Sequence, residues 1–382
     1  MIRDVFITRT AAFLPLDPVD NDHMEAALGQ AGERPSRTRK ITLRSNGIKA
    51  RHYVTDPQTG EVRYTNASLT AAAVRALAGD GFRVEDIACL SCGTSVPDQI
   101  LPGHGVMVHG ELGGAPCEVL TTAGVCAAGA TALKYAWLAV RSGEFPNAVA
   151  TGSEAVSLTL RGTRYAAETA QRAEELESHP ELAFEKDFLR WMLSDAAGAL
   201  LLQDKPATSG PSLRIDWIDI ASYANEMPAC MYAGAEKNPD GSLTGWARFS
   251  HEEIGRQSIL AIKQDVKLLN AKIIEYCLDK PLGAIKARRG LKAEEIDWFL
   301  PHMSSEYFRQ PIAAGLARIG LPIPAERWFT NLATRGNTGS ASFFLMLDEL
   351  LRSGRLQRGQ RLLCLVPESG RFTSAYLHFT VV

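Results

Sequence analysis

Cys126 is the first residue of the chain whose type and surroundings suggest chemistry. It stands in a run of small residues, VCAAG at 125–129, that opens an apolar helical stretch. A thiol at a helix N-terminus lies beside unpaired backbone N–H groups and the positive end of the helix dipole, so we expect its pKa to be lowered and its nucleophilicity raised. The alternative is a small buried core residue, which is the usual fate of a free cysteine.

His302 and Asn337 favour the catalytic interpretation of Cys126. His302 follows a short apolar run at 298–301 that is typical of a strand, and Asn337 lies in a Gly- and Ser-rich turn before a second apolar helix. A cysteine with a histidine and a polar third group is the general pattern of nucleophilic catalysis. We therefore predict that Cys126, His302 and Asn337 meet in one cavity as catalytic residues.

An internal repeat explains how distant residues could meet. Cys126 and Asn337 are 211 residues apart, and so are Arg141 and Arg352, each of which begins an Arg-Ser-Gly that closes an apolar helix. Helices that are apolar nearly all round are covered on every side, and short apolar runs are typical of buried parallel strands.

The repeat predicts a duplicated α/β fold with five layers, α/β/α/β/α, in which the two buried helices form the middle layer. We assign residues 1–205 to an N-terminal half that carries Cys126, and residues 206–382 to a C-terminal half that carries His302 and Asn337. A pseudo-twofold axis between such halves would bring the starts of the two buried helices together.

Composition and charge limit the remaining possibilities. The 382 residues are 46% apolar and 22% charged, and the net charge of −2 argues against nucleic acid as the main partner. Seven cysteines, an odd number, make a disulfide framework improbable and favour a reducing compartment. The N-terminus does not resemble a signal peptide, and no apolar run approaches the roughly 18–20 residues of a membrane span. We predict a cytoplasmic protein without a membrane span or a bound metal.

At the three candidate residues the chain resembles a known family. VCAAG at 125–129, PHMS at 301–304 and GNTGSAS at 336–342 are similar to the active-site motifs of the β-ketoacyl-acyl-carrier-protein synthase III branch of the thiolase superfamily. Gly152-Ser-Glu and SDAAGA at 194–199 are supporting matches, and the resemblance extends over nearly the whole chain. It implies the thiolase-like, duplicated five-layer fold, usually as a homodimer.

The resemblance also implies a reaction. Cys126 would accept an acyl group from a thioester of coenzyme A or acyl carrier protein. His302 and Asn337 would bind the carbonyl of an incoming malonyl or β-ketoacyl thioester and stabilise the enolate that attacks the acyl group. No metal or other cofactor is required. Several stretches, among them GTSVPD at 93–98, look closer to ketosynthases that join two acyl chains and help to close a dialkylresorcinol-type ring.

The C-terminal segment departs from this family. Where the family has a Gly-rich turn that supplies a backbone N–H to the oxyanion hole, this chain has PESGRF at 367–372. We expect Ser369 or Gly370 to supply that donor. Glu368 is a possible acid/base for ring closure, and the alternative is a Glu368–Arg371 ion pair that shapes the loop.

A basic segment suggests a docking surface. Seven basic residues and no acidic one lie between positions 34 and 51. Arg37 and Arg39 could steer an acidic acyl carrier protein, and Arg44 matches the family position at the mouth of the pantetheine tunnel. The alternative is an ordinary solvated surface.

Two other functions remain open from the sequence. One is an acyltransferase that passes the acyl group from Cys126 to an oxygen or nitrogen acceptor, and the other is a non-catalytic subunit that binds carrier protein. The presence of both His302 and Asn337 favours condensation, and an intact Cys126 counts against a non-catalytic role.

Overall fold

The computed structural model describes residues 2–30, 37–79, 81–164 and 189–382, and the side chains of 37 and 38 are not among the described parts. The strands in these ranges are β1 (Phe6–Phe13), β2 (Val19–Asp20), β3 (Ala50–Arg51), β4 (Cys89–Thr94), β5 (Glu118–Ala123), β6 (Asn147–Glu154), β7 (Ala196–Gln203), β8 (Leu213–Ser222), β9 (Met231–Tyr232), β10 (Ala235–Lys237), β11 (Leu243–Gly245), β12 (Lys263–Gln264), β13 (Trp298–Pro301), β14 (Arg361–Glu368) and β15 (Thr373–Val381).

The helices are joined to these strands by loops and short 3₁₀ turns. In the described ranges they are α1 (Met24–Leu28), α2 (Arg37–Asn46), α3 (Asn66–Arg75), α4 (His104–Leu112), α5 (Ala128–Ser142), α6 (His251–Arg256), α7 (Val266–Ile274), α8 (Lys280–Arg289), α9 (Arg309–Arg318), α10 (Leu332–Arg335) and α11 (Ser342–Arg352). A π-helical turn, Glu275–Asp279, connects α7 to α8. No described helix is long and apolar enough to cross a lipid bilayer.

The strand pairing repeats along the chain. Nine of the described strands hydrogen-bond in the order β13-β14-β15-β8-β1-β7-β6-β4-β5. From the β5 edge, the pairs β5–β4 and β4–β6 are parallel, and β6–β7 and β7–β1 are antiparallel. The other part follows the same pattern, because a parallel bridge from Trp328 to Phe299 of β13 takes the place of β5. Then β13–β14 is parallel, and β14–β15 and β15–β8 are antiparallel.

The two series meet at β1 and β8, where Phe6 pairs with Arg214 and Ile7 with Leu213. Strands β1 to β7 lie within residues 1–205 and β8 to β15 within 206–382. The repeated topology agrees with the duplication inferred from the sequence, and the mixed α/β fold class is confirmed. The division into two domains at residue 205 stays a prediction.

Three apolar clusters separate five layers. Alternate residues of a strand face opposite sides of a sheet. Leu90 of β4 packs in a cluster with α3 and α4, whereas Cys89 packs in the central cluster with α5 and α11. In the other part of the sheet, Cys364 of β14 faces the same central cluster, and Leu363 faces α7, α8 and α9. Helices α5 and α11 therefore lie between two sheet portions, each covered by helices on its outer side.

Helix α5 has the composition and the end expected of a buried helix. Alanine and leucine, the strongest helix formers, supply much of its buried face. It ends at Gly143, whose φ of 85° is the left-handed conformation that glycine adopts at helix C-termini. At the other end, the N-cap residue Ala127 has no side chain that could accept a hydrogen bond. The first N–H groups of α5 therefore need partners from elsewhere in the protein.

Candidate active site

One cavity contains all three predicted catalytic side chains. It has a volume of about 270 Å³ and is lined by Cys126, His302 and Asn337. Most of the other lining residues are apolar, and they include Leu189, Met192, Leu193, Ile262, Leu269, Ile273, Leu278, Phe308 and Ile312. Such a cavity fits an apolar chain that is attached to a small polar reacting group. The catalytic roles of the three residues remain predictions.

Cys126 lies in the turn between β5 and α5 and is almost fully buried. Burial, together with the negative charges of Glu368 and Glu154, raises the pKa of its thiol well above the usual value. Our expectation that the helix N-terminus lowers this pKa is therefore wrong. The helix dipole acts only over about the first turn, and here its effect is opposed by desolvation and by two nearby carboxyl groups.

Glu368 binds the backbone just before α5, including the N–H of the N-cap residue Ala127. Its Oε2 accepts hydrogen bonds from the N–H of Val125 at 2.9 Å and of Ala127 at 3.0 Å, one residue to either side of Cys126. The Glu368–Arg371 ion pair considered from the sequence does not form, because Nε of Arg371 donates to the carbonyl of Met227 at 2.7 Å. Burial raises the pKa of Glu368, and the two backbone hydrogen bonds oppose that rise.

His302 follows β13 and is held by its own backbone, whose N–H donates to the carbonyl of Leu365 at 2.8 Å. Its imidazole is buried, and Nδ1 has no hydrogen-bond partner among the described residues. Burial lowers the pKa of His302 to about 4, so the ring is neutral at pH 7. A neutral imidazole carries one N–H donor, which is suited to polarising a carbonyl oxygen.

Asn337 is held by the segment before β7. Its N–H donates to the carbonyl of Met192 and its own carbonyl accepts from the N–H of Ser194, both at 2.9 Å. The side-chain Oδ1 accepts from the N–H of Gly339 at 3.0 Å, which leaves the amide nitrogen to donate into the cavity. Asn337 and His302 thus both line the cavity, and their shared role as N–H donors to one oxygen atom stays a prediction.

Glu154 is a cavity residue that sequence reasoning did not identify. It ends β6, and in the sequence it stands out only as the Glu of the Gly-Ser-Glu at 152–154. The structure buries it on the cavity wall, where Oε1 accepts from the N–H of Ser340 at 3.0 Å and from the hydroxyl of Ser95. Its Oε2 has no hydrogen-bond partner among the described residues. Its sequence signal is weak: a carboxylate at the end of a run of small, uncharged residues, AVATGS at 148–153.

The remaining predicted site residues are placed less uniformly. Ser369 lines the cavity and its hydroxyl donates to Oε1 of Gln264 at 3.1 Å. The carbonyl of Gly370 accepts a hydrogen bond from the N–H of Cys230, and a Cβ at Gly370 would lie 2.9 Å from Cγ2 of Val125. Whether either residue supplies the oxyanion donor stays a prediction.

The basic residues of α2 differ from one another. Arg44 is exposed. Arg39 instead lies within 4 Å of the carboxylates of Asp22 (3.9 Å) and Glu25 (3.8 Å), so much of its charge is compensated within the chain. The side chain of Arg37 lies outside the described parts of the structure.

All seven cysteines are free thiols, and the described ranges contain no cluster of His, Cys, Asp or Glu suited to a metal.

Comparison with known proteins shows which enzymes this chain resembles. Residues 287–376 match the family model described as the C-terminal part of 3-oxoacyl-[acyl-carrier-protein] synthase III. Over 381 residues the chain is 28% identical to the β-ketoacyl-[acyl-carrier-protein] synthase III of Xanthomonas campestris pv. campestris (strain 8004), which covers 98% of each protein. Over nearly its whole length the chain is thus similar to β-ketoacyl-[acyl-carrier-protein] synthase III enzymes, and the family model matches its C-terminal part.

Solved structures show the same fold in proteins that are more distant from this synthase III-like chain. AbyA1, a tetronic acid condensing enzyme, is 20% identical and superposes with a TM-score of 0.72 over 98% of this chain and 99% of its own. OleA of Xanthomonas campestris, in a structure with bound lauric acid and lauroyl-CoA, is also 20% identical, with a TM-score of 0.71 over the full length of both chains. At this identity the likeness shows the fold alone.

Proposed function

We propose that this protein is a condensing enzyme that loads an acyl group onto Cys126 and joins it to a second thioester in a Claisen reaction. The observation that carries the proposal is the shared cavity of Cys126, His302 and Asn337, which has apolar walls. The thiol sulfur would displace the carrier sulfur from the acyl carbonyl carbon. Coenzyme A and acyl carrier protein are the proposed donors, and lauroyl-CoA bound to OleA is a precedent for such a thioester in this fold.

The second thioester is a malonyl or β-ketoacyl unit on a carrier. The N–H groups of His302 and Asn337 would hold its carbonyl oxygen as negative charge develops there, and the enolate carbon would attack the acyl-cysteine. Hydrogen-bond donors aimed at such an oxygen act strongly in a cavity that excludes water. Closure of the product to a dialkylresorcinol-type ring, with Glu368 as acid/base, is the finer form of this proposal.

Intact-mass spectrometry tests the acylation step. Incubation with a panel of acyl-CoA thioesters of increasing chain length is expected to add one acyl mass to the wild-type protein and none to Cys126→Ala. Cys364→Ala is the matched control, because Cys364 is buried in β14 but does not line the cavity, and this variant should be acylated like the wild type. An acyl mass that persists in Cys126→Ala would refute Cys126 as the nucleophile.

A product assay on Glu368→Gln tests ring closure. If Glu368 acts in ring closure, the ratio of open-chain to cyclised product should rise in this variant, whatever its rate of acylation. Equal losses of condensation and cyclisation would remove the ring-closure role and leave Glu368 to an earlier step.

We further propose a cytoplasmic homodimer of two-domain chains with the division at residue 205. Strand β5 is the end strand of the large sheet, and the loop before α4 lies against it, since a Cβ at Gly103 would be 3.1 Å from Oγ1 of Thr121. That loop exposes Ile100 and Leu101, which are 70% and 81% accessible. Edge strands with exposed apolar neighbours are pairing surfaces. Analytical ultracentrifugation of Leu101→Asp against the wild type tests whether this edge holds two copies together.

A further inference from the structure

The carboxylate of Glu368 lies beside the N-terminus of α5, whose positive end would otherwise stabilise a thiolate at Cys126. Oε2 of Glu368 takes the hydrogen bonds of the N–H groups of both Val125 and Ala127. Its negative charge offsets the positive end of the α5 dipole, so the thiol of Cys126 keeps its proton in the resting enzyme. Acyl transfer then needs a group that accepts this proton.

We propose that Glu368 is the base that removes the thiol proton of Cys126 as the acyl group arrives. This inference rests on the proposed function and assigns its first chemical step. The Cys126 sulfur forms a bond to the thioester carbonyl carbon, and the bond from that carbon to the carrier sulfur breaks. The proton passes from the Cys126 sulfur to the Glu368 carboxylate and from there to the departing carrier sulfur, so that a free carrier thiol leaves.

The geometry leaves one carboxylate oxygen for this task. Both backbone hydrogen bonds go to Oε2, so Oε1 is the oxygen available to a proton. Glycines give the carboxylate its space: a Cβ at Gly124 would lie 3.3 Å from Oε2, and a Cβ at Gly370 would lie 3.3 Å from Oε1. These distances are closer than ordinary van der Waals contacts of a Cβ, so a larger residue at either position would press on the carboxylate.

The other titratable groups around the thiol are less suitable. Burial holds the pKa of His302 at about 4, so its imidazole is a weak base. Cys277 lines the same cavity from the π-helical turn, and burial raises the pKa of its thiol, which stays protonated. Glu154 also acts on Cys126, but less strongly than Glu368, and its Oε1 is engaged by Ser95 and Ser340.

Two reactions of the Cys126 thiol can distinguish whether Glu368 acts as a base or only as a neighbouring negative charge. The first is single-turnover acylation by lauroyl-CoA, followed by rapid quenching and intact-mass analysis, and the second is alkylation by iodoacetamide. Removal of the Glu368 charge in Glu368→Gln should ease ionisation of the thiol, so alkylation at pH 7 should speed up several-fold. Acylation at pH 7 should nevertheless slow by about 10²-fold or more, the usual contribution of a general base. It should recover as the pH rises and the thiol ionises unaided.

Two further variants complete the test. Glu154→Gln removes the same charge from the cavity and should keep the wild-type shape of the acylation–pH profile. Glu368→Asp retains a carboxylate and should lose less acylation than Glu368→Gln. This difference would show that the assay measures loss of the base and not loss of the fold. Circular dichroism of each variant checks folding.

Four outcomes would overturn the proposal. If acylation and alkylation both speed up in Glu368→Gln, the carboxylate only suppresses the thiol. If Glu154→Gln loses acylation as severely as Glu368→Gln, the effect does not belong to Glu368. A wild-type protein that takes no acyl group from any thioester would overturn the proposed function and this step with it, whereas equal acylation of wild type and Glu368→Gln would overturn this step alone.

Discussion

Gly129 faces the carbonyl oxygen of Ser340 so closely that a Cβ at position 129 would lie 2.4 Å from it. Gly129 is in the first turn of α5, and Ser340 immediately precedes α11. A Cβ at Gly152 of β6 would lie 2.3 Å from the same oxygen. The starts of the two central helices therefore meet with no space for a methyl group, and Cys126 and Asn337 each lie three residues before this contact along the chain.

Gly129→Ala should destabilise the protein, because the added methyl must displace backbone. We expect a loss of about 1–3 kcal/mol in the free energy of unfolding, the usual effect of overpacking a core. Urea unfolding followed by circular dichroism measures it. Gly110→Ala in α4 is the control, since its Cβ would meet open space and should gain up to about 1 kcal/mol from helix propensity. Equal stability of Gly129→Ala and wild type would contradict the close contact.

Asn337→Ala and His302→Ala should separate the two halves of the reaction. Neither side chain is needed to form the acyl-cysteine, so both variants should still gain one acyl mass from a suitable thioester. Condensation should fall by about 10²–10³-fold in each, the usual cost of losing one oxyanion donor. Product formation by mass spectrometry beside intact-mass analysis of the enzyme gives both readings. Loss of the acyl adduct in these variants would instead place His302 or Asn337 in the first step.

Arg44→Glu should weaken binding of carrier-bound substrate without harming the chemistry. Arg44 is exposed, so reversing its charge should raise KM for a thioester on acyl carrier protein and leave KM for a short pantetheine thioester unchanged. Arg39→Glu should act differently, because Arg39 lies between Asp22 and Glu25 and its reversal should lower the melting temperature. Equal changes of KM for both substrates in Arg44→Glu would argue against docking of a carrier at this face.

Asp216 should make stability depend on acid pH. It accepts hydrogen bonds from Nδ1 of His378 (2.8 Å), Oγ1 of Thr380 (2.7 Å) and Nε of Arg214 (2.8 Å). Burial would raise the pKa of Asp216, but these hydrogen bonds outweigh burial and hold the pKa below its usual value.

Because the folded-state pKa of Asp216 is depressed, its stabilising effect is complete above the unfolded pKa of roughly 3.9 and is lost as the pH falls through the lower folded value. Asp216→Asn should lower the free energy of unfolding at pH 7 by about 1–3 kcal/mol. Acid should then reduce the stability of this variant less than it reduces that of the wild type. Thermal unfolding of both proteins between pH 7 and pH 3 measures this. Parallel curves for the two proteins would show that Asp216 is not responsible.

The sequence predicts which residues share the cavity better than it predicts their pKa values. The spacing of Cys126 and Asn337, with His302 at a strand end, was sufficient to predict a shared cavity, because a repeated topology brings equivalent turns together. The pKa of Cys126 could not be predicted in the same way, since the deciding contact joins Glu368 to Val125 and Ala127, 243 and 241 residues away along the chain. Glu154 could not be identified as a cavity residue, because the neighbouring sequence does not distinguish a carboxylate that faces a cavity from one that ends a strand in solvent.

The hydrogen bonds of Glu368 also set the order in which the protein becomes reactive during synthesis. Cys126 leaves the ribosome well before Glu368, which follows it by 242 residues. A nascent polypeptide therefore carries the sulfur without its carboxylate neighbour until β14 has been synthesised. If Glu368 is the base that we propose, competence for acyl transfer therefore arises only when β14 has docked between β13 and β15.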